Sequence, residues 1–295
     1  MARRALLVVN RDSRAGRQDL SAVLEVLRRG GIDAVEAACG SAAELSPLIA
    51  REGSGLDLVI VGGGDGTLNA ALEGLVESGL PLGVLPLGTA NDLALTLGIP
   101  ADPLAAAGII AGGRPRPVDL GWVNGKHFLN AAGVGLTAQV ARALDRDLKR
   151  RWGRVGYALG ALRGWRRARP FRAAIRCDGR RFTTVAVQVA VGNGRHFGGG
   201  MVVADDARID DARLDLFTLA PRGPLGFAML LPLLRAGRHG RLDGVVTCRA
   251  TEIDLDTGRP LPVNTDGEIT TATPARFRVR PRALPVLAPW PERGA

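Results

Sequence analysis

Two strand–turn–helix segments in tandem place the strongest constraint on the fold. Val59–Leu75 reads VIVGGGDGTLNAALEGL and Pro81–Pro100 reads PLGVLPLGTANDLALTLGIP. In each segment an apolar run ends in a glycine-containing turn, and residues at helical spacing follow directly. Such alternation predicts a parallel sheet with crossover helices. Both turns are then expected at the carboxyl edge of the sheet, where open α/β sheets bind ligands.

The texture of the sequence changes at about Gly121. Before it, strand-like and helix-like runs alternate; after it, β-branched runs separated by Gly, Pro and Asp predict an antiparallel, β-rich region. The sequence therefore predicts an α/β domain over 1–121 and a β-rich domain over 122–284. A basic helical insertion is expected near 141–169, and a tail over 285–295 that can return to the N-terminal domain.

Charge and cysteine content narrow the function classes. The 295 residues carry a net charge of +10, which favours anionic partners such as phosphorylated ligands or an acidic membrane surface. Three widely spaced cysteines, Cys39, Cys177 and Cys248, argue against a disulfide framework or a zinc site and for a reducing compartment. The longest apolar run, from Phe227, is far shorter than a bilayer span and contains a Pro.

The first turn, GGGDGT at Gly62–Thr67, matches neither common phosphate-binding loop. It lacks the Lys of a P-loop, and Thr67 stands where the G-x-G-x-x-G pattern requires its third glycine. One interpretation is purely structural: a tight turn whose glycines adopt positive φ, with Asp65 and Thr67 as helix caps. The functional interpretation is an anion site at a helix N-terminus, where the carboxylate of Asp65 needs a metal ion beside the phosphate.

Six motifs resemble those of one family. They occur in the family's order and span nearly the whole chain: GGGDGTLN at Gly62–Asn69, PLGTANDLA at Pro86–Ala94, FLNAAGVGLTAQV at Phe128–Val140, KRRWGRVGYALGALR at Lys149–Arg163, GNGRHFGGGMVVADDARIDDARLDL at Gly192–Leu216 and TDGEI at Thr265–Ile269. The sequence thus resembles the bacterial diacylglycerol kinase and sphingosine kinase-like lipid kinases, which share a diacylglycerol kinase catalytic domain.

The resemblance implies a two-domain kinase that uses ATP and Mg²⁺. ATP is expected on a Rossmann-like N-terminal domain, and the acceptor lipid in the cleft against the β-rich domain. The early loop reads NRDSRAG where the family usually has an NPxSG-like sequence. Asn91 and Asp92 are expected to contact the lipid substrate. The implied nucleotide contacts are Asn10, Arg11, Asp12, Ser13, Arg14, Gly40, Gly63, Gly64, Asp65, Gly66, Thr67, Leu68, Asn69 and Thr89.

The same resemblance assigns the catalytic residues. Phosphoryl transfer needs a nucleotide cradle, Mg²⁺ to spread charge and a base for the acceptor hydroxyl. Glu268 is the expected general base, and Asp65 is expected to act in a Mg²⁺–phosphate network through water. TDGEI also has a structural interpretation, a type I′ hairpin turn at Asp266–Gly267, which is compatible with the catalytic one.

A second metal site is implied in DARIDDARLDL, Asp206–Leu216. Its ligands would be the side chain of Asp211 and the main-chain carbonyls of Arg208 and Arg213; a solvated acidic turn is the alternative. The family has Gly where this chain has Ala212 and Pro where it has Ala204. Ala at a position that requires positive φ is a steric problem, so a remodelled loop is also open.

The segment Ala141–Arg176 concentrates the basic residues. It contains twelve Arg or Lys and two Asp, with Trp152, Tyr157 and Trp165 among them. A cationic helix with interfacial aromatics suits an anionic membrane surface, and a solvated helix with core aromatics is the alternative. We therefore expect a cytoplasmic protein that associates peripherally with the inner face of the membrane. A homodimer is compatible with the sequence.

Three other functions compete with a lipid kinase. An NAD kinase-like enzyme shares the GGDGT turn, but PLGTANDLA and the late TDGE argue against it. A non-catalytic nucleotide or lipid sensor is suggested by the altered Asp211–Ala212 loop and opposed by the intact Glu268. Nucleic acid is not an expected partner, because no recognition motif accompanies the charge. Among possible lipid substrates, diacylglycerol converted to phosphatidic acid is the simplest.

Overall fold

The chain folds into two compact units. The computed structural model describes residues 2–9, 19–37, 39, 41–143, 169–220, 230 and 232–289. Unit 1 comprises Met1–Val118 and Arg282–Ala295, and unit 2 comprises Asp119–Pro281. Unit 1 is the α/β part and unit 2 the β-rich part, as the sequence predicts.

Unit 1 alternates strands with helices. Its elements are β1 (Arg3–Val9), α1 (Ser21–Arg29), β2 (Ile32–Ala37), a 3₁₀ turn (Ala42–Glu44), α2 (Leu45–Glu52), β3 (Leu58–Gly63), α3 (Asp65–Ser78), β4 (Leu82–Pro86), α4 (Asp92–Leu97), α5 (Pro103–Gly112) and β5 (Pro115–Val123), the last of which continues into unit 2. The strands pair in parallel in the order β2–β1–β3–β4. Every residue of β3 and β4 is buried, which explains why both read as continuous apolar runs rather than alternating ones.

Unit 2 consists mainly of antiparallel strands. Its elements are β6 (Lys126–Phe128), β7 (Ala131–Gly135), α6 (Leu136–Ala143), β8 (Phe171–Cys177), β9 (Arg180–Ala186), β10 (Gln188–Gly192), β11 (His196–Phe197), β12 (Met201–Val202), β13 (Leu214–Leu219), a 3₁₀ turn (His239–Arg241), β14 (Thr247–Ala250), β15 (Glu252–Asp256), β16 (Pro262–Thr265), β17 (Glu268–Ala272) and β18 (Ala275–Leu287).

Two sheets of unit 2 share one core. One sheet has the order β14–β13–β10–β7–β16–β17, and the other contains β18–β15–β8–β9. Val134 and Leu216 from the first sheet pack in one buried cluster with Ile175 and Phe277 from the second. Alternation along β8, where Phe171, Ala173, Ile175 and Cys177 are buried and the residues between them exposed, places one face of that sheet in the core and the other in solvent.

Strand β18 belongs to both units. Its first residues pair antiparallel with β15 in unit 2, whereas Val286 and Leu287 pair in parallel with Leu82 and Gly83 of β4 in unit 1. The unit boundary falls at Arg282, which has a φ of 53°. The end of this strand therefore completes the parallel sheet of unit 1.

The expectation of no disulfide is wrong. The structure joins Cys177 of β8 to Cys248 of β14, 71 residues apart in sequence, and leaves Cys39 free. Spacing along the chain could not show this pair, because the two residues come together only when their strands join the same core.

Of the helices in the described ranges, none combines the length and the apolar content needed to cross a membrane. Helix α6 ends at Ala143, and residues 144–168, the greater part of the predicted basic insertion, lie outside the described residues.

Candidate functional site

The two glycine turns of unit 1 are in direct contact. They follow neighbouring parallel strands whose register pairs Gly63 with Pro86, and the backbone N–H of Leu87 donates to the carbonyl of Gly63 at 3.0 Å. A Cβ placed on Gly88 would lie 2.4 Å from the Cα of Gly64. The sheet topology therefore brings both sequence-predicted turns to one place at its carboxyl edge.

The glycines of these turns serve close packing rather than unusual backbone angles. None of Gly62, Gly63, Gly64, Gly66 and Gly88 has positive φ, so the predicted need for positive φ is wrong. A Cβ on Gly63 would meet the side chain of its neighbour Thr67 at 2.5 Å. At Gly63, Gly64 and Gly88 glycine is required because the two turns pack against each other and against Thr67 of α3.

The structural interpretation predicted that Asp65 caps its own helix, and this prediction is wrong. The N-cap of α3 is Gly64, and the Oδ1 atom of Asp65 instead accepts a hydrogen bond of 3.2 Å from the backbone N–H of Leu93. Leu93 is the second residue of α4, so this carboxylate ties the first turn to the second helix. Thr67 is buried beneath Gly63 and is not a surface cap either.

The first turn of α3 offers backbone donors to an anion. Its N-cap residue is a glycine, which has no side chain to accept from those N–H groups. Gly66 in this turn is exposed, and a Cβ placed on it would meet nothing within 4 Å. A helix N-terminus with free space above a glycine is a suitable place for phosphate.

The second turn is organised by Asn91. Its backbone has a φ of 53°, its Oδ1 accepts from the N–H of Gly88 at 3.0 Å, and its Nδ2 donates to the Gly88 carbonyl at 3.1 Å. Asp92, the first residue of α4, is 5% exposed, and Thr89 at the tip is exposed. Asn91 thus shapes the turn, while Thr89 is the residue most accessible to a ligand.

The remaining predicted nucleotide contacts differ in how accessible their side chains are. The side chain of Leu68 is in the core, so only its backbone is available to a ligand, whereas Asn69 is half-buried. Residues Asn10, Arg11, Asp12, Ser13, Arg14 and Gly40 lie outside the described residues.

In unit 2, Glu268 follows a rigid hairpin turn. Asp266 has a φ of 48° and Gly267 a φ of 96°, consistent with the predicted type I′ turn between β16 and β17. The carboxylate of Asp266 accepts three backbone N–H groups, from Leu129 at 2.6 Å, Asn130 at 2.9 Å and Ala131 at 3.1 Å. The side chain of Glu268 is exposed at the start of β17.

The Asp211 loop keeps the conformation that glycine would favour. Ala212 has a φ of 57°, and its N–H donates to Oδ2 of Asp119 at 2.6 Å. The Oδ1 of Asp211 accepts from the N–H of Arg213 at 3.0 Å. Burial, with smaller contributions from the carboxylates of Asp215 and Asp119, raises the pKa of Asp211. The loop is therefore a shaped, acidic turn rather than a freely solvated one.

Metal ligation in this loop would need backbone oxygens. Within the described ranges no group of three or more His, Cys, Asp or Glu side chains is placed to hold a metal. The predicted set of one carboxylate, from Asp211, and the carbonyls of Arg208 and Arg213 consists of oxygen donors, which suit Mg²⁺. The side chain of Arg208 itself points to Asp210, with an ion pair of 3.0 Å.

Sequence reasoning missed the residues that hold these loops. Neither Asp119 nor Asn193 is among the residues predicted from the sequence, and Asp266 is predicted only as part of a hairpin turn. The Nδ2 of Asn193, which is 1% exposed, donates to the carbonyls of Asp119 and Leu129, both at 2.8 Å. A polar residue inside an apolar run, as in VDLGWV, was the available signal for Asp119.

His196 and His239 differ in burial. His196 is half-buried, and burial, with a smaller contribution from Arg195, lowers its pKa. His239 is 1% exposed and packs on Phe217, with ring centroids 4.3 Å apart.

Two family patterns match the chain. The diacylglycerol kinase catalytic domain matches residues 4–123, and the YegS C-terminal NAD kinase beta sandwich-like domain matches residues 130–288. Together they cover both units.

Curated proteins and solved structures give the same picture. A probable lipid kinase YegS-like protein of Pseudomonas aeruginosa is 32% identical over 288 residues, covering 96% of this chain and 94% of that protein. A diacylglycerol kinase of Mycobacterium tuberculosis is 34% identical over 273 residues, covering 89% and 87% respectively. The crystal structure of a diacylglycerol kinase from Bacillus anthracis superposes with a TM-score of 0.79 at 28% identity, covering 97% of both chains.

Proposed function

Because the chain belongs to the family of diacylglycerol kinase-like lipid kinases, we propose that it transfers the γ-phosphate of ATP to a lipid hydroxyl, most simply that of diacylglycerol. Unit 1 supplies the nucleotide site in this proposal, and Glu268 of unit 2 is the general base. Mg²⁺ is the expected metal cofactor.

The observation that carries the proposal is the contact between the two glycine turns. Gly64 and Gly88 leave no space between the turns, while the side of Gly66 is open. The backbone N–H groups at the start of α3 can therefore receive the phosphates of ATP, and Thr89 is exposed beside them. Positioning and electrostatic stabilisation are the main tasks of a phosphoryl-transfer enzyme.

Glu268 has the exposure and the rigid support that a general base needs. Its turn is fixed by the three N–H groups that Asp266 accepts, so the carboxylate starts from a defined backbone position. In the proposed reaction it takes the proton of the acceptor hydroxyl as that oxygen bonds to the γ-phosphorus and the bond to ADP breaks. General-base assistance is typically worth about 10²–10⁴ in rate.

Asp65 would act on Mg²⁺ through water, and Asp211 would belong to a second metal site with the carbonyls of Arg208 and Arg213. Asp65 is half-buried and hydrogen-bonded to Leu93, and Asp211 has a backbone donor of its own. Mg²⁺ is usually held by one or two carboxylates and keeps several waters. When bound, the ion would spread the negative charge of the transferring phosphoryl group.

The proposal extends to location. The basic segment 141–169 would attach a cytoplasmic enzyme to the anionic inner face of the membrane, where its lipid substrate lies. Residues 144–168 of that segment lie outside the described residues.

The test is transfer of radiolabelled γ-phosphate from ATP to a panel of lipids in mixed micelles, with NAD as a further acceptor. Wild type is compared with Glu268→Gln and with Glu77→Gln, which neutralises an exposed carboxylate on α3. We expect labelling of one lipid, a loss of about 10²–10⁴ in Glu268→Gln, and full activity in Glu77→Gln.

Two results would contradict the proposal. Labelling of NAD without any lipid would make the protein an NAD kinase-like enzyme. Binding of ATP with no labelled acceptor would make it a nucleotide or lipid sensor.

A further inference from the structure

The outer face of the sheet β18–β15–β8–β9 in unit 2 is rich in arginine. Exposure alternates along β8, and register places the outward residues of neighbouring strands side by side. Six arginines occupy outward positions on three of these strands, and we call them the arginine face: Arg172, Arg176, Arg181, Arg276, Arg278 and Arg280. None of the assigned site residues lies on it.

The charge is concentrated in one row across the four strands. Arg181 lies opposite Arg176, Arg176 lies opposite Asp254, and Asp254 lies opposite Arg276. Asp254 forms ion pairs with both of its arginine neighbours. Like charges directly opposite each other in a sheet are unfavourable, so the pairing of Arg176 with Arg181 favours an external anion.

The acidic residues on the same face are already engaged. Glu252 pairs with Arg278 at 3.0 Å, and Asp256 accepts from the N–H of Gly258 at 2.8 Å. By contrast, Arg172 and Arg181 are exposed and make no ion pair with any residue in the described ranges. Three carboxylates among six arginines leave the face positive.

Apolar groups accompany the charge. A groove of about 710 Å³ crosses the same four strands, and its lining includes Trp122 and Ala174 together with Arg176, Arg181 and Arg276. The guanidinium of Arg280 lies 5.3 Å from the centre of the Trp122 ring. Val185, directly opposite Arg172, is 52% exposed. Basic residues beside a half-buried aromatic ring and an exposed aliphatic side chain are typical of surfaces that contact the lipid interface.

We propose that the arginine face docks on an anionic phospholipid bilayer, with its guanidinium groups on lipid phosphates and Val185 and the groove against the interface. This proposal rests on the proposed function, because a lipid substrate is what brings the chain to a bilayer. Arginine suits the role because its planar guanidinium binds phosphate through two parallel hydrogen bonds.

The test is flotation of the full-length protein with vesicles of phosphatidylcholine, with or without phosphatidylglycerol. Arg172→Glu/Arg181→Glu reverses two exposed charges that make no ion pair among the described residues, so folding should be unaffected. Arg51→Glu/Arg114→Glu makes the same charge change at exposed positions of unit 1. Each basic residue near an anionic surface contributes about fivefold to binding, so we expect the first variant to bind at least about tenfold more weakly.

Wild type should bind only the vesicles that contain phosphatidylglycerol, and the control variant should retain that binding. Equal binding by wild type and Arg172→Glu/Arg181→Glu would overturn the proposal. An equal loss of binding in the control variant would overturn it too, because the net charge of the protein would then explain the effect. Binding to duplex DNA is measured as well. If Arg172→Glu/Arg181→Glu lost DNA binding but kept vesicle binding, the proposal would also be overturned. Transfer of the γ-phosphate of ATP to detergent-dispersed lipid is measured in parallel. Its rate should be the same in all three proteins. Its absence in wild type would contradict the kinase proposal without altering the flotation result.

Discussion

The glycine turns of unit 1 and the site loops of unit 2 hold their shapes by different means. In unit 1 the absence of side chains lets Gly64 and Gly88 pack backbone against backbone. In unit 2 non-glycine residues with positive φ, Asp266 and Ala212, are held by hydrogen bonds to distant parts of the chain. Unit 1 is therefore sensitive to any side-chain atom added where Gly64 meets Gly88. Unit 2 is instead sensitive to the loss of the Asp266 or Asp119 carboxylate.

The largest expected effect is the loss of the Asp266 carboxylate. Asp266→Ala leaves the N–H groups of Leu129, Asn130 and Ala131 without their acceptor, so we expect the free energy of unfolding to fall by about 2–4 kcal/mol. Asp266→Asn keeps one acceptor oxygen and tolerates positive φ, so it should lose less. Urea denaturation measures both; equal stability of the alanine variant and wild type would show that these bonds do not hold the turn.

In unit 1 the corresponding change is Gly88→Ala. Its Cβ would lie 2.4 Å from the Cα of Gly64, which neither backbone can avoid without moving, so we expect a loss of about 1–3 kcal/mol. Gly66→Ala is the matched control, because its Cβ meets nothing and alanine favours a helix.

The two glycine variants also separate stability from binding. Gly66→Ala should unfold no earlier than wild type in urea and yet bind ATP more weakly by isothermal calorimetry, since the methyl group occupies the space assigned to phosphate. Unchanged ATP affinity in Gly66→Ala would mean that the phosphates bind elsewhere.

Acid sensitivity should distinguish the units, because all three histidines belong to unit 2. Burial lowers the pKa of His239, against smaller opposing effects of the Val203 backbone and Asp205. In the pH range between the folded and unfolded pKa values, His239 is protonated in the unfolded chain and neutral in the folded one. The stabilising contribution is fully present above the unfolded pKa of about 6.5. As the pH falls toward the folded pKa, the free energy of unfolding decreases by up to about 1.4 kcal/mol per pH unit.

Thermal unfolding between pH 7.5 and pH 5.5 measures that effect. His239→Asn should show a smaller decrease in stability over this range than wild type, because asparagine does not titrate. A parallel decrease in both proteins would assign the acid sensitivity to other groups.

The smallest effect is expected at Ala212. A left-handed backbone costs an alanine about 1–2 kcal/mol, part of which glycine gives back through the entropy of its unfolded state. Ala212→Gly should therefore raise the free energy of unfolding by up to about 1 kcal/mol, and Ala212→Val should lower it. A glycine variant that unfolds earlier than wild type would show that Ala212 is not strained.

The contrast between the units also explains what the sequence could predict. Strand–helix alternation and the glycine turns are local patterns, so the parallel sheet, the hairpin at Asp266 and Gly267 and the nearness of the two turns could all be foreseen. The role of these glycines in close packing could not be foreseen, because it depends on which turns become neighbours in the folded sheet. The anchors Asp119 and Asp266 act on residues 93 and about 136 positions away, and no local pattern contains such a contact.

The pairing of Val286 and Leu287 with β4 has a consequence for synthesis on the ribosome. Nearly all of unit 1 emerges early, but the edge of β4 that these two residues cover stays open until unit 2 has been translated. An open strand edge is a template for pairing with other chains. Nascent chains are therefore most exposed to aggregation while unit 2 is being made, and that vulnerability ends when the last strand arrives.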